Sequence, residues 1–171
     1  RVIFATGAME RPMPVPGWTL PGVMTAGAAQ IALKSIAAIP EGPTVLAGCG
    51  PLLYLLASQL LKAGADITAV LDTANAGQRL RALPHLPAFL GSPYLAKGLR
   101  LLVDVRRQTR VISGITDLAI DGDAHAQSVT FRRRRRSETL PVRTVLLHQG
   151  VIPSINLASS ADCVIRWNEH Q

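Results

Sequence analysis

The sequence predicts an α/β fold: a parallel sheet with flanking helices, and an antiparallel β-meander covering one face. Three observations predict it. Residues 44–72, TVLAGCGPLLYLLASQLLKAGADITAVLD, read as a strand, a glycine turn, a helix and a second strand ending in an acid, the order of a βαβ unit. Residues 109–133 alternate apolar and polar positions around an Asp-Gly-Asp turn, the pattern of a hairpin or three-stranded meander. With 171 residues, 48% of them hydrophobic, the chain can bury one proper core and is not globally disordered.

The βαβ unit is Rossmann-like in detail. Gly48 and Gly50 make the turn, and residues 52–63 form a helix whose N-terminus faces a phosphate. Pro51 suits the first helical turn, where its missing N–H was unpaired anyway. Gly48, Cys49, Gly50, Pro51 and Leu52 are therefore the candidate pyrophosphate contacts, made through backbone and helix N-terminus. Asp72 ends the second strand, where a carboxylate accepts from a ribose diol. It also repels a 2′-phosphate, which favours NAD or another adenine nucleotide over NADP. Arg79 and Arg81 lie shortly beyond and could reverse that preference if they reach the ribose. One departure stands out: the G-x-G-x-x-G spacing puts Leu53 at the third glycine. That glycine serves helix–strand packing, so a leucine there predicts a helix shifted outward; forcing it into unchanged packing would cost roughly 1–3 kcal/mol. The plainer alternative is a βαβ unit with an empty phosphate site.

The remaining elements follow in order. RVIFATG reads as a short buried strand ending in a glycine turn. Pro12, Pro14, Pro16 and Pro21 exclude regular helix across residues 11–22 and make a stiff, extended connector. Residues 25–39 have helical spacing, with Thr25 as N-cap. A further helix begins over 75–83, is interrupted by Pro84 and Pro87, and continues over 92–97. Residues 101–105 are a strand candidate. Residues 144–147 return as a buried strand, 150–153 close it with a turn, and 156–171 form a weakly patterned tail.

Composition narrows the function classes. Cys49 and Cys163 are far apart, with no C-x-x-C, zinc spacing or disulfide framework, which fits a reducing, cytoplasmic setting. Cys49 reads as a small residue filling the turn, with thiolate chemistry at a helix N-terminus as the functional alternative. No apolar stretch is long enough to span a bilayer. The net charge is +7, and residues 132–136 are an unbroken run of five arginines. A nucleic-acid or anionic-partner patch is one reading. The run follows SVTF and has no interleaved aromatics, so a solvated hairpin is favoured and nucleic-acid binding is not. None of His85, His125, His148 and His170 has a spacing that implies a catalytic base. No metal site and no catalytic residue is assigned.

Two phrases carry a family resemblance. RVIFATGAMERP and TVLLHQGVIPS, with the strand and helix order between them, resemble the exit from and return to the flavin domain in two-dinucleotide flavoproteins related to the pyridine nucleotide–disulfide reductases. GWTLPGVMTAGAAQ and the variant turn AGCGPLL further resemble the alpha-type subunits of opine oxidases, hydrogen cyanide synthase and dye-linked proline dehydrogenases. The resemblance implies that residues 1–43 are the exit strand and connector of the flavin domain, 44–150 an NAD-type dinucleotide domain, and 151–171 the return segment. It implies FAD in the intact protein, neighboured by Thr6, Gly7 and Gly150, and oxidation of a C–N bond in an amino-acid-like substrate together with partner subunits. A structural ADP or ATP in place of NAD is also implied, and His148 would lie near the reactive end of a bound dinucleotide. A backbone-satisfied histidine is its plainer reading. The glycine motif that would hold FAD is missing from this stretch, which reads as the middle of a subunit, inactive alone. The redox C-x-x-x-x-C is missing too, which speaks against disulfide reduction. The competing class is a non-catalytic scaffold whose arginine hairpin docks a partner subunit.

Overall fold

The computed structural model describes residues 2–85 and 94–167. In chain order, the first half holds β1 (Ala8–Glu10), β2 (Val23–Thr25), α1 (Ala26–Ile36), β3 (Thr44–Gly48), α2 (Pro51–Lys62), β4 (Ile67–Asp72) and α3 (Ala76–Ala82). The second half holds α4 (Tyr94–Gln108), β5 (Arg110–Ser113), β6 (Ile115–Asp121), β7 (Ser128–Arg133), β8 (Arg136–Pro141), β9 (Thr144–His148) and β10 (Val151–Pro153), followed by a short helix at Asn156–Ser160. A parallel sheet of order β2-β9-β3-β4-β5 lies at the centre. The meander β6-β7-β8 is antiparallel, and β1 pairs with β10 as a separate antiparallel ribbon.

Side-chain alternation in the central strands builds two cores. Val45, Ala47, Ala69, Leu71, Val145 and Leu147 join the meander's Ile120, Val129 and Phe131 on one face. Leu46, Val70 and Leu146 face the helices on the other, against Ala29, Leu53, Leu56, Leu60 and Val105. Strands covered on both faces read as near-continuous apolar runs, which is why β3, β4 and β9 carry so few polar residues. No helix among the described residues is long and apolar enough to cross a membrane.

Several expectations are met. Thr25 caps α1 by accepting from the Ala28 N–H at 3.2 Å, and the meander lies over one sheet face as predicted. Residues 132–136 form a hairpin tip: Arg133 pairs with Arg136, Arg134 turns with φ 57°, and Arg132 meets Asp117 at 3.2 Å. The proline connector is held down: the Pro16 and Pro21 carbonyls accept from the Ile120 and Ala126 N–H groups at 2.9 and 2.8 Å. Proline loses a donor but keeps its acceptor.

Four expectations are corrected. Residues 101–105 lie in α4 rather than a strand; Val105 is fully buried, while Val103 is exposed. A local apolar run looked strand-like, but a one-sided pattern spread over the whole helix decides the outcome. Residues 2–7 form no strand, and Val2 and Ile3 are exposed. No described strand runs beside them, and an apolar strand is buried only by neighbours. The turn expected over 150–153 is strand β10, which receives β1 with Glu10 opposite Val151. Helix α1 ends at Ile36, before residue 39, because Ala37 adopts φ 55°. The interruption at Pro84 is a 3-10 turn, Leu83–His85; Pro87 and the start of the 92–97 segment lie outside the described residues.

Phe131 is fully buried between meander and sheet. Phe131→Ala should lower unfolding free energy by about 3–5 kcal/mol, measured by denaturant titration. A loss below about 1 kcal/mol would contradict the packing of the meander onto the sheet.

Candidate nucleotide site

The central sheet changes direction of growth between β3 and β9. Ligands of open α/β sheets bind in the crevice outside the carboxyl ends of strands at such a point. Three residues stand in register there: Gly48 on β3 pairs with Asp72 on β4 and with His148 on β9. Gly48 has φ 146°, and a Cβ on it would collide with the His148 carbonyl. The Cys49 N–H donates to that same carbonyl at 3.0 Å, and the Thr73 N–H to the Gly48 carbonyl at 2.8 Å. Glycine at 48 therefore serves strand packing as well as the turn.

Gly50, the N-cap of α2, has φ 95° and open space where a Cβ would stand. No side chain caps α2, and Pro51 contributes no N–H, so the next N–H groups are available to an anion. Leu52 is 43% exposed beside the turn, whereas Leu53 is fully buried. Leu53 packs beneath the helix with Leu46, Leu56 and Leu146 and does not fill the turn. The helix–sheet layer has simply taken up a leucine in the place of the third glycine.

Asp72 is 6% exposed, and its carboxylate accepts from the Tyr54 hydroxyl at 2.9 Å and from the Ala74 N–H at 2.8 Å. Sequence reasoning missed Tyr54, which sits one helical turn beyond Gly50. A second polar link crosses the crevice: the Cys49 thiol donates to Gln149 Oε1 at 3.0 Å, and Gln149 Nε2 to the Thr73 hydroxyl at 3.5 Å. Cys49 and Cys163 are both free thiols. The Arg79 side chain lies outside the described residues, and Arg81 is exposed on α3.

Glu10 was also missed. Its Oε1 pairs with His148 Nδ1, and its Oε2 accepts from the Gly27 N–H at 2.6 Å. The pair is buried, with side chains 11% and 5% exposed. Glu10 thus ties β1 to the end of β9 and to the first turn of α1, where a carboxylate also suits the helix dipole. His148 is satisfied by a carboxylate, not by backbone. Removing Glu10 would strand two buried donors, at about 1–3 kcal/mol each. Beside the pair lies a cavity of about 390 Å³, lined by Met9, Ile31, Leu52, Leu56 and Val151 among others. Thr6, Gly7 and Gly150 flank the β1–β10 ribbon: the Thr6 hydroxyl donates to the Ser154 carbonyl at 2.5 Å, the Ser154 N–H to the Gly7 carbonyl at 2.9 Å, and the Arg11 N–H to the Gly150 carbonyl at 2.9 Å.

No family model matches the chain. An opine oxidase subunit of Agrobacterium tumefaciens is 58% identical over 170 residues, which is 99% of this chain and 34% of that protein. The chain is a homologue of this opine oxidase component. It spans about a third of the length of that relative. Hydrogen cyanide synthase subunit HcnB of Pseudomonas aeruginosa is 46% identical over 102 residues, 59% of this chain and 21% of that one. Among solved structures, an FAD-dependent pyridine nucleotide–disulphide oxidoreductase from Desulfovibrio vulgaris superposes with a TM-score of 0.60 at 23% identity, covering 92% of this chain and 37% of that one. That likeness carries the fold.

The two glycines should separate structure from binding. Gly48→Ala should unfold the chain or lower its melting temperature sharply, because the Cβ has no room beside β9. Gly50→Ala should leave a folded chain at a cost of about 1–3 kcal/mol, because φ 95° with ψ 167° is a backbone conformation essentially confined to glycine, with weakened nucleotide binding. Thermal unfolding and calorimetric titration check both; equal tolerance of the two substitutions would contradict the close approach at Gly48.

Proposed function

We propose that this chain is the NAD-type dinucleotide-binding domain of an FAD-dependent oxidoreductase subunit. The observation that carries the reading is the open backbone at Gly50 and the uncapped start of α2, set beside the register row Asp72, Gly48, His148. A pyrophosphate there meets N–H donors and a helix dipole. Asp72 accepts from the adenosine ribose, and Tyr54 holds the carboxylate in place. Buried Leu53 supports this reading over a scaffold with a blocked turn, because the leucine lies under the helix and leaves the turn open.

Homology to the opine oxidase component supports the wider assignment: one member of a hetero-oligomeric oxidoreductase that oxidises a C–N bond of an amino-acid-like substrate. FAD belongs to the intact protein, where Thr6, Gly7 and Gly150 would lie at its edge and the flavin would supply the hydride-accepting chemistry. The pairing of β1 with β10 supports residues 1–43 and 151–171 as the outgoing and returning segments of one flavin domain around residues 44–150. ADP or ATP held structurally satisfies the turn and Asp72 equally well, since both share the adenosine diphosphate unit.

A thermal-shift titration with NAD, NADP, ADP and ATP tests the site, with Asp72→Asn run in parallel. A ligand at 100 times its Kd adds about 2.7 kcal/mol. Adenine nucleotides should raise the melting temperature, NADP less than NAD, and Asp72→Asn should blunt the response. No shift with any of the four would sink the reading for this chain.

A further inference from the structure

We infer that the arginine hairpin and the adjoining end of α4 form a docking face for an acidic, carboxylate-rich segment of another polypeptide. The inference goes beyond the nucleotide site and does not rest on it, since none of its residues belongs to that site.

The hairpin tip is built against its own stability. Arg133 and Arg136 stand directly opposite one another and close a two-residue loop. Like charges in that arrangement destabilise a strand pair. Arg134, within the loop, has φ 57°. Two-residue hairpin loops take glycine or asparagine at such positions, and a long side chain there is uncommon. No ion pair offsets either cost. Arg132 meets Asp117 at 3.2 Å, but Arg133, Arg134, Arg135 and Arg136 have no ion pair among the described residues. All four are exposed. A local outlier that the fold does not need points to a ligand. Carboxylates would relieve the repulsion and take up the guanidinium forks in pairs of hydrogen bonds.

The charge extends beyond the tip. The four arginines and Glu138 line an open cavity of about 550 Å³. Arg110, on β5, reaches Glu138 at 3.9 Å. It also lines a second cavity, of about 510 Å³, together with Arg106 and Arg107 at the end of α4. The two cavities therefore belong to one basic face, which runs along β5, the edge strand of the parallel sheet.

The face selects the class of partner. No large apolar side chain is exposed between residues 104 and 150, so a lipid surface gains no apolar anchor there. Phe131 is the only aromatic residue in that stretch and is fully buried, so no nucleic-acid base can stack on it. Asp117 and Glu138 stand among the arginines. A continuous phosphate backbone meets these two as like charges. A polypeptide spaces its carboxylates and can bring a donor of its own to Glu138. The contact is polar and charge-driven, and salt weakens it.

Fluorescence anisotropy of a labelled polyglutamate peptide, titrated with the 171-residue chain, tests this beside oligothymidylate of matched charge and phosphatidylserine vesicles. Arg134→Gly relieves the backbone of the loop, and Arg136→Thr removes the like-charge pair. Each should weaken polyglutamate binding about five-fold, the scale of one exposed ion pair. Arg134→Gly should also raise the melting temperature by about 2 °C, so that lost binding cannot be laid to misfolding. Lys62→Gln removes the same charge at the exposed end of α2 and should change binding by less than about two-fold. Four results overturn the inference: no polyglutamate binding by wild type, variants that bind as wild type does, a lowered melting temperature for Arg134→Gly, or tighter binding of oligothymidylate or vesicles than of polyglutamate.

Discussion

The close approach of β3 to β9 at Gly48 is the constraint on which the rest of the site depends. Without a Cβ at 48, the His148 carbonyl comes close enough to accept from the Cys49 N–H. That contact sets where β3 ends and where the turn begins. It also levels Gly48 with Asp72 on one side and His148 on the other. A side chain at this one position would separate the strands and scatter all three residues. The first glycine of the turn is thus a packing residue of the sheet, and the second is the one left open to a ligand.

Two different layers hold this row in place. The meander supplies Phe131, Val129 and Ile120 to one face, and the helices supply Leu53, Leu56 and Leu60 to the other. Leu53 belongs to the support and not to the turn. Glu10 adds a polar tie at the edge, where the β1–β10 ribbon would otherwise be held to the sheet mainly by its chain connections. A buried carboxylate is tolerated there because each of its oxygens has a donor. The tie joins residues 138 positions apart, so the geometry of His148 depends on how the ribbon sits.

Sequence alone disclosed what is local. The strand–turn–helix–strand of the βαβ unit, the meander and the Thr25 cap each carry their signal within a dozen or so residues, and each was legible. The five-arginine hairpin was legible for the same reason, since its tip is solvated whatever surrounds it. Residues 101–105 misled because a short apolar run cannot distinguish a buried strand from the inner face of a helix. Residues 2–7 misled because strand formation depends on neighbours that a local reading cannot supply. Glu10 was invisible for a plainer reason: nothing in AMERP announces a partner at the far end of the chain. The one available signal was a carboxylate within a short extended segment and a histidine ending an otherwise apolar strand, two polar residues that each needed a partner.

An amide-resolved NMR titration of this chain with ADP tests the central claim most directly, because it reports where the phosphates sit. The largest shifts should fall on the Cys49, Gly50, Leu52 and Leu53 amides, with smaller ones at Thr73 and Ala74. Shifts concentrated at Arg133, Arg134, Arg135 and Arg136 would contradict it and make the hairpin the anion site.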